Sequence, residues 1–205
     1  MKKFILTFII AASLMVSCNT APKEKSTEKK LDMSMVPAAK IDSLKLEWTG
    51  YKTTAKTPVS GVFKEVSVSG ENKKAASPEE VLNGATFTAS VASLFSGNEI
   101  RDPKLIDIFF GTMVNTPELK GVLHLEEKPF LSITMNDVTK EVPVTTSFKD
   151  GVYRVEGDVK LADFNAIPAV EAIAKACYEL HTGIDGVSKT WDEAHFKGSV
   201  YFAQK

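Results

Sequence analysis

"SGNEIRDPKLIDIFF", Ser96–Phe110, is the stretch whose reading decides what the rest of the chain must be. A glycine turn leads to an adjacent arginine and aspartate, then a proline, then a segment closing on two phenylalanines. Asp102 directly before Pro103 predicts a helix start, because an N-cap carboxylate accepts orphan backbone N–H groups and proline suits the first helical position. Leu105, Ile106, Ile108, Phe109 and Phe110 make that short helix too apolar for a solvated surface. It has to dock against a body or cover an open end. Arg101 and Asp102 read as a structural ion pair and cap; a catalytic pair would need a nucleophile, and none accompanies them.

The flanking sequence supplies such a body. "LKLEWTGYK" sets Leu46 and Trp48 on one face against Lys45, Glu47 and Thr49. "VFKEVSVSG" does the same with Val66 and Val68, and "GATFTASVASL" with Ala85, Phe87, Ala89 and Val91. "PFLSITMN" aligns Leu131, Ile133 and Met135, and "HFKGSVYFA" aligns Phe196, Gly198, Val200 and Phe202. Between them Asp150-Gly151 predicts a hairpin, since both residues tolerate the positive φ of a tight turn. Helices interrupt rarely. "SPEEVLNG" has Ser77 as N-cap, Pro78 at the first helical position, Glu80 completing a capping box and Gly84 past the end. "NAIPAVEAIAKACYELH" places Ile167, Val170, Ala174 and Cys177 at helical spacing. Many short alternating strands with few helices imply a mainly β fold, best completed by closing into a barrel or sandwich.

Composition bounds the remaining classes. The chain has 205 residues, 43% hydrophobic and 25% charged, with a formal net charge of −1. That suits one domain with a processed end, and it offers no clustered basic surface for nucleic acid. Met1-Lys2-Lys3 followed by the apolar run Phe4–Val16 is a secretion leader, too short for a transmembrane helix. It ends in "LMVSCN", which resembles a bacterial lipobox, with Met15 in place of the usual leucine and Val16, Ser17 and Cys18 in pattern. Cleavage would make residues 1–17 the signal peptide and leave Cys18 lipidated; an ordinary secretion signal with a chance cysteine is the alternative. Residues 18–40 then form a tether rich in lysine, glutamate, serine and threonine. As coil it reaches roughly 25 Å, enough to hold a small domain off a membrane. With Cys18 lipidated, Cys177 has no disulfide partner.

A family resemblance runs from about Ile41 to Gln204. "EWTGYK", "VSGVFKEVSVSG" and above all "ATFTASVASLFSGNEIRDPKLIDIFF" resemble the YceI family of polyisoprenoid-binding, lipocalin-like bacterial proteins. Gly97, Arg101, Asp102, Leu105, Phe109 and Phe110 match the family's pattern of a turn, an Arg-Asp pair, a leucine and paired phenylalanines. Two features depart from it: the helix and loop of "IPAVEAIAKACYELHTGIDGVSKTWDE", and the lipoprotein leader in place of a plain secretion signal. The resemblance implies an eight-stranded antiparallel barrel over residues 41–205, holding a long isoprenoid chain, without enzymatic activity or cofactor. It also implies a protein of the Gram-negative envelope, which with the lipobox means anchoring to a membrane facing the periplasm. Asn19 after the cysteine favours the outer membrane mildly, and dimers occur in the family.

The expected lining residues are Trp48, Phe63, Phe87, Val91, Phe109 and Phe110, with Ile133 and Met135. Arg101 at the mouth could meet a phosphate or hydroxyl head group. The rival is a structural or stress-response envelope lipoprotein whose barrel is filled by its own side chains. Cys177 and His181, four apart on the predicted helix, could begin a metal site or a nucleophilic pair. Asp192, Glu193 and His195 are the only further ligands in reach of such a site, and no orienting group or oxyanion motif accompanies the pair. A packed thiol beside a helix-end histidine is the simpler reading.

Overall fold

A computed structural model describes residues 39–203, so the expected leader, Cys18 and most of the tether lie outside the described residues. β1 (Ile41–Lys52) alternates as its sequence predicts, and pairs antiparallel with both β2 (Thr57–Phe63) and β11 (Thr190–Phe202). The remaining strands are β3 (Val66–Ser69), β4 (Thr86–Ser90), β5 (Leu94–Phe95), β6 (Glu118–His124), β7 (Phe130–Met135), β8 (Val138–Pro143), β9 (Thr145–Lys149) and β10 (Val152–Lys160). The β9–β10 hairpin turns at Asp150 and Gly151, with φ of 53° and 75°. Both values lie in the left-handed region that the Asp-Gly pair was expected to supply.

The expected closed barrel does not form. Among the described residues the ladders make two antiparallel sheets, ordered β5-β2-β1-β11-β10-β9 and β3-β4-β6-β7-β8. The reason lies at three bends where a run that alternates continuously in sequence leaves one sheet for the other. β2 passes into β3 through Lys64 and Glu65, and β4 into β5 through a 3₁₀ turn at Val91–Ser93. β8 passes into β9 through Val144, directly after Pro143, which has no N–H to extend the ladder. Such corners are how strands switch between packed sheets. Taking each bent run as one strand leaves the eight expected; the ladders divide them into eleven among the described residues.

The helices sit between and beside the sheets. α1 (Pro78–Leu82) is capped by Ser77, whose Oγ accepts from the Glu80 N–H at 3.2 Å, and it buries Val81 and Leu82. α2 (Arg101–Pro103) continues through a π-helical turn, Lys104–Phe109, and a 3₁₀ turn, Phe110–Thr112. Asp102 is not its N-cap, contrary to the sequence expectation. Asn98 does that work, with its Oδ1 accepting from the N–H groups of Ile100 and Arg101 at 3.1 and 2.9 Å. Asp102 instead reaches back to the preceding turn, accepting from the Ser96 N–H at 3.0 and 3.1 Å and from the Ser96 hydroxyl. Among the described residues it makes no ion pair with Arg101, so the pair expected there is also corrected. Adjacent helical side chains point about 100° apart, which leaves the carboxylate free to staple the turn.

α3 (Ile167–Ala176) buries Ala169, Val170 and Ile173, with Cys177 buried just past its end. The expected helix through His181 stops short, and His181 stands on a separate 3₁₀ turn, Glu179–His181. The core falls into two clusters. One gathers Phe63, Phe110, Met135 and Phe164 with the flank of α3; the other gathers Leu82, Leu123, Tyr153 and Phe202.

Candidate functional site: an apolar cavity between the sheets

One row of residues across the larger sheet sets the shape of the interior. Gly61 of β2 stands opposite Trp48 of β1, Trp48 opposite Phe196 of β11, and Phe196 opposite Gly157 of β10. Two aromatic side chains are thus flanked by two glycines. A β-carbon at Gly61 would stand 2.5 Å from the Trp48 ring, and one at Gly157 2.9 Å from the Phe196 ring. The glycines let the rings lie close over the sheet instead of standing out from it.

The space so spared is a cavity of about 490 Å³, walled by both sheets and by the Arg101–Phe110 segment. This volume falls within the roughly 300–1,000 Å³ of small-molecule sites. The protein's own side chains leave this volume unfilled.

Eight of the nine residues expected at the site border this cavity: Trp48, Phe63, Phe87 and Arg101, then Phe109, Phe110, Ile133 and Met135. Phe110 packs edge-to-face on Phe109 at 5.0 Å and on Phe63 at 6.4 Å, so three expected lining rings form one aromatic wall. Val91 departs from the expectation. It is buried in the core but does not border the cavity, because β4 ends at Ser90 and the 3₁₀ turn rotates Val91 off the strand's inward face.

Sequence reasoning passed over Leu46, Leu131 and Phe196 as lining residues, although each shares a period-two face with others that were named. Ile173 and Cys177 also border the cavity. No local signal could have found them, since they arrive with α3, which packs on the π-helical turn and β11.

At one end of the cavity, bordering residues reach the surface: Ile100 is 73% exposed and Leu180 57%. At this end His181 Nδ1 lies 2.6 Å from the Thr190 hydroxyl. Burial, with the nearby Lys52 and Lys104 ammonium groups, holds the imidazole below its ordinary protonation range. His195 lies elsewhere on the sheet, with Nδ1 2.9 Å from Asp158. Among the described residues Asp192, Glu193 and His195 do not join Cys177 and His181 in a cluster that could hold a metal, and no other group of three or more histidines, cysteines and acids is so arranged.

No family model matches the sequence, and no curated protein matches it. Solved structures do. A polyisoprenoid binding domain from Saccharophagus degradans superposes with a TM-score of 0.58 at 10% identity, covering 82% of this chain and 98% of that one. BcnA of Burkholderia cenocepacia gives 0.52 at 18% identity, over 80% of this chain and 99% of that one. The YCEI protein of Campylobacter jejuni overlaps less fully, at 0.44 and 18% identity, over 73% and 87%. The chain shares the fold of the YceI-like polyisoprenoid-binding domains.

Proposed function

We propose that this chain is a YceI-family lipid-binding protein that holds a polyisoprenoid-like molecule in the cavity between its sheets. The single observation that carries the reading is the cavity itself: about 490 Å³ and lined almost wholly by apolar groups. Each methylene buried there contributes about 0.8 kcal/mol, so a few isoprene units suffice for useful affinity. Among the described residues the polar groups at the site form no nucleophile–base–orienter set, which favours binding over catalysis.

The lipobox-like leader supports the cellular half of the proposal. Cys18 carries acyl chains, the tether to residue 40 spans from membrane to domain, and the protein faces the periplasm from the outer membrane. More than one acyl chain on the cysteine exceeds what stable anchoring requires. The likeness to the Saccharophagus degradans polyisoprenoid binding domain accords with an isoprenoid ligand here.

The test is to express the full chain with its own leader in a Gram-negative host, purify it from membranes and extract it with organic solvent. Mass spectrometry is expected to find a long-chain lipid near one per protein. An empty protein that also takes up no added isoprenoid would defeat the carrier reading and return the chain to the scaffold class.

A further inference from the structure

Exposed apolar side chains gather at one end of the domain. Nine large ones are exposed among the described residues, and four of them fall within a single loop: Tyr178, Leu180, Ile184 and Val187. Ile100 is a fifth, brought to this end because Lys104 Nζ donates to the Ala176 carbonyl at 3.3 Å. Single exposed apolar residues are ordinary on a protein surface. A concentration of them, with Ile184 fully exposed, marks a contact surface.

The loop is held in place. Thr182 and Ser188 form an antiparallel bridge, and the Gly183 N–H donates to the Val187 carbonyl at 3.0 Å. Three ties fasten it to the body. Lys52 Nζ donates to the Leu180 carbonyl at 2.9 Å, the Thr54 hydroxyl to Asp185 at 2.6 Å, and the Thr53 N–H to the Lys189 carbonyl at 2.8 Å. The apolar side chains are thus presented to solvent on a fixed backbone.

Where the loop joins β11, aromatic rings and ammonium groups collar it. The Trp191 indole N–H donates to the Thr53 carbonyl at 2.8 Å. Lys56 and Lys189 Nζ lie 5.0 and 4.9 Å from the Trp191 ring, and Lys56 lies 4.8 Å from the Tyr51 ring. An apolar tip beside Trp, Tyr and Lys has the composition of a membrane–water interface. There amphipathic rings sit at head-group level, and lysine stems lie along apolar surface with the ammonium in water.

Net charge selects no ionic partner. At this end Lys52, Lys56, Arg101, Lys104, Lys175 and Lys189 nearly balance Glu99, Asp102, Asp107, Glu179, Asp185, Asp192 and Glu193. Three of those acids are already held, Asp102 by Ser96, Asp185 by Thr54 and Glu193 by Lys56. Apolar contact has to supply the attraction, which suits a bilayer of neutral lipids.

The chain's geometry allows that contact. β1 begins at Ile41 beside Phe202 and ends at Lys52 beside Leu180, so the tether enters the domain at the end opposite the loop. Twelve residues of strand span about 40 Å. Residues 18–40 drawn out reach roughly 80 Å, enough for the loop to touch the membrane that anchors the chain. Anchoring also makes the contact intramolecular, so a small patch suffices.

We infer that the Tyr178–Val187 loop, with Ile100, docks into the surface of a lipid bilayer and lays that end of the cavity against the membrane. The inference takes its use from the anchored-carrier reading, but the contact is measured whether or not the cavity holds lipid.

The test places the full lipidated chain on phosphatidylcholine vesicles, with an NBD fluorophore on Ile184→Cys or, as control, on Lys149→Cys in the β9–β10 hairpin at the far end. Cys177 is buried, so labelling is selective. With vesicles present, the Ile184 label is expected to emit several-fold brighter and to the blue, and to be quenched by nitroxide-bearing lipids. The Lys149 label is expected to keep its aqueous spectrum. Adding Tyr178→Asp and Val187→Asp should return the Ile184 label to that spectrum without moving the thermal midpoint, since both side chains are exposed. Salt should leave the signal in place.

A protein that floats with the vesicles while its Ile184 label stays aqueous overturns the docking and leaves the anchor standing. An unlipidated protein whose Ile184 label still inserts overturns the anchor and leaves the docking. Equal shifts at both ends, or a shift that survives the two added aspartates, overturn the docking by assigning the signal to the dye. A shift that needs no vesicles and grows with protein concentration marks a self-association face instead, and a signal lost in high salt marks an ionic contact. Either result overturns the inference.

Discussion

The Trp48 indole occupies the space that a side chain at Gly61 would need: a β-carbon there would stand 2.5 Å from the ring and equally close to the Phe95 carbonyl oxygen. The two residues face each other across β1 and β2, and the missing side chain lets the indole wall the cavity. Gly61→Ala must therefore push a ring or a strand. A loss of about 1–3 kcal/mol is expected, in the range of overpacked cores. Urea denaturation measures it, and an unchanged midpoint would contradict the packing described.

Phe109 and Phe110 are neighbours in sequence with different burdens. Phe110 is 9% exposed and belongs to the core, whereas Phe109 is half-buried against it. Phe110→Ala is expected to lose about 3–5 kcal/mol of stability. Phe109→Ala is expected to lose less than about 3 kcal/mol and to release bound lipid faster. Thermal melts and lipid off-rates on both variants check the split; equal stability losses with unaltered lipid retention would show both rings to be plain core.

Asp102 is expected to hold the Ser96 turn in place. Its carboxylate takes the Ser96 N–H and hydroxyl together, so Asp102→Ala leaves a part-buried N–H without its acceptor. The expected loss is about 1–3 kcal/mol, with faster hydrogen exchange at Ser96. Exchange at Ser96 equal to wild type would remove the staple.

His181 makes stability depend on pH with a definite sign. Burial and the Lys52 and Lys104 charges lower its pKa in the folded protein, so the native state prefers the neutral ring. Above the ordinary imidazole value of about 6.5 both states are neutral and the full stability is present. As pH falls below that value the unfolded chain binds a proton first, and stability declines until the folded-state pKa is passed. The wild type should lose more urea stability between pH 7.5 and 5 than His181→Gln, expressed as that difference between the two proteins. Parallel losses in both would assign the pH response to other groups.

Much of this was legible in the residues. Strand faces around Trp48, Val66, Phe87, Ile133 and Val200 follow from two-residue alternation, and the Asp150-Gly151 turn from the φ those residues accept. The Ser77 cap, too, is a relation between residues three apart. Sequence alone misplaces the helix start at Arg101, because proline after aspartate signals a start wherever it falls. Asn98, three residues earlier, offers an equally good cap without a proline to mark it.

What the sequence by itself determined is the local order: alternating strands, their inward apolar faces and an apolar segment that had to be covered. Tertiary structure alone decided that the strands bend into two sheets, that Val91 turns aside, and that Lys52 meets the Leu180 carbonyl 128 residues away. The division is physical. Alternation and capping depend on neighbours within one turn or pleat, whereas a cavity and the groups at its exposed end exist only when distant segments pack and leave space between them.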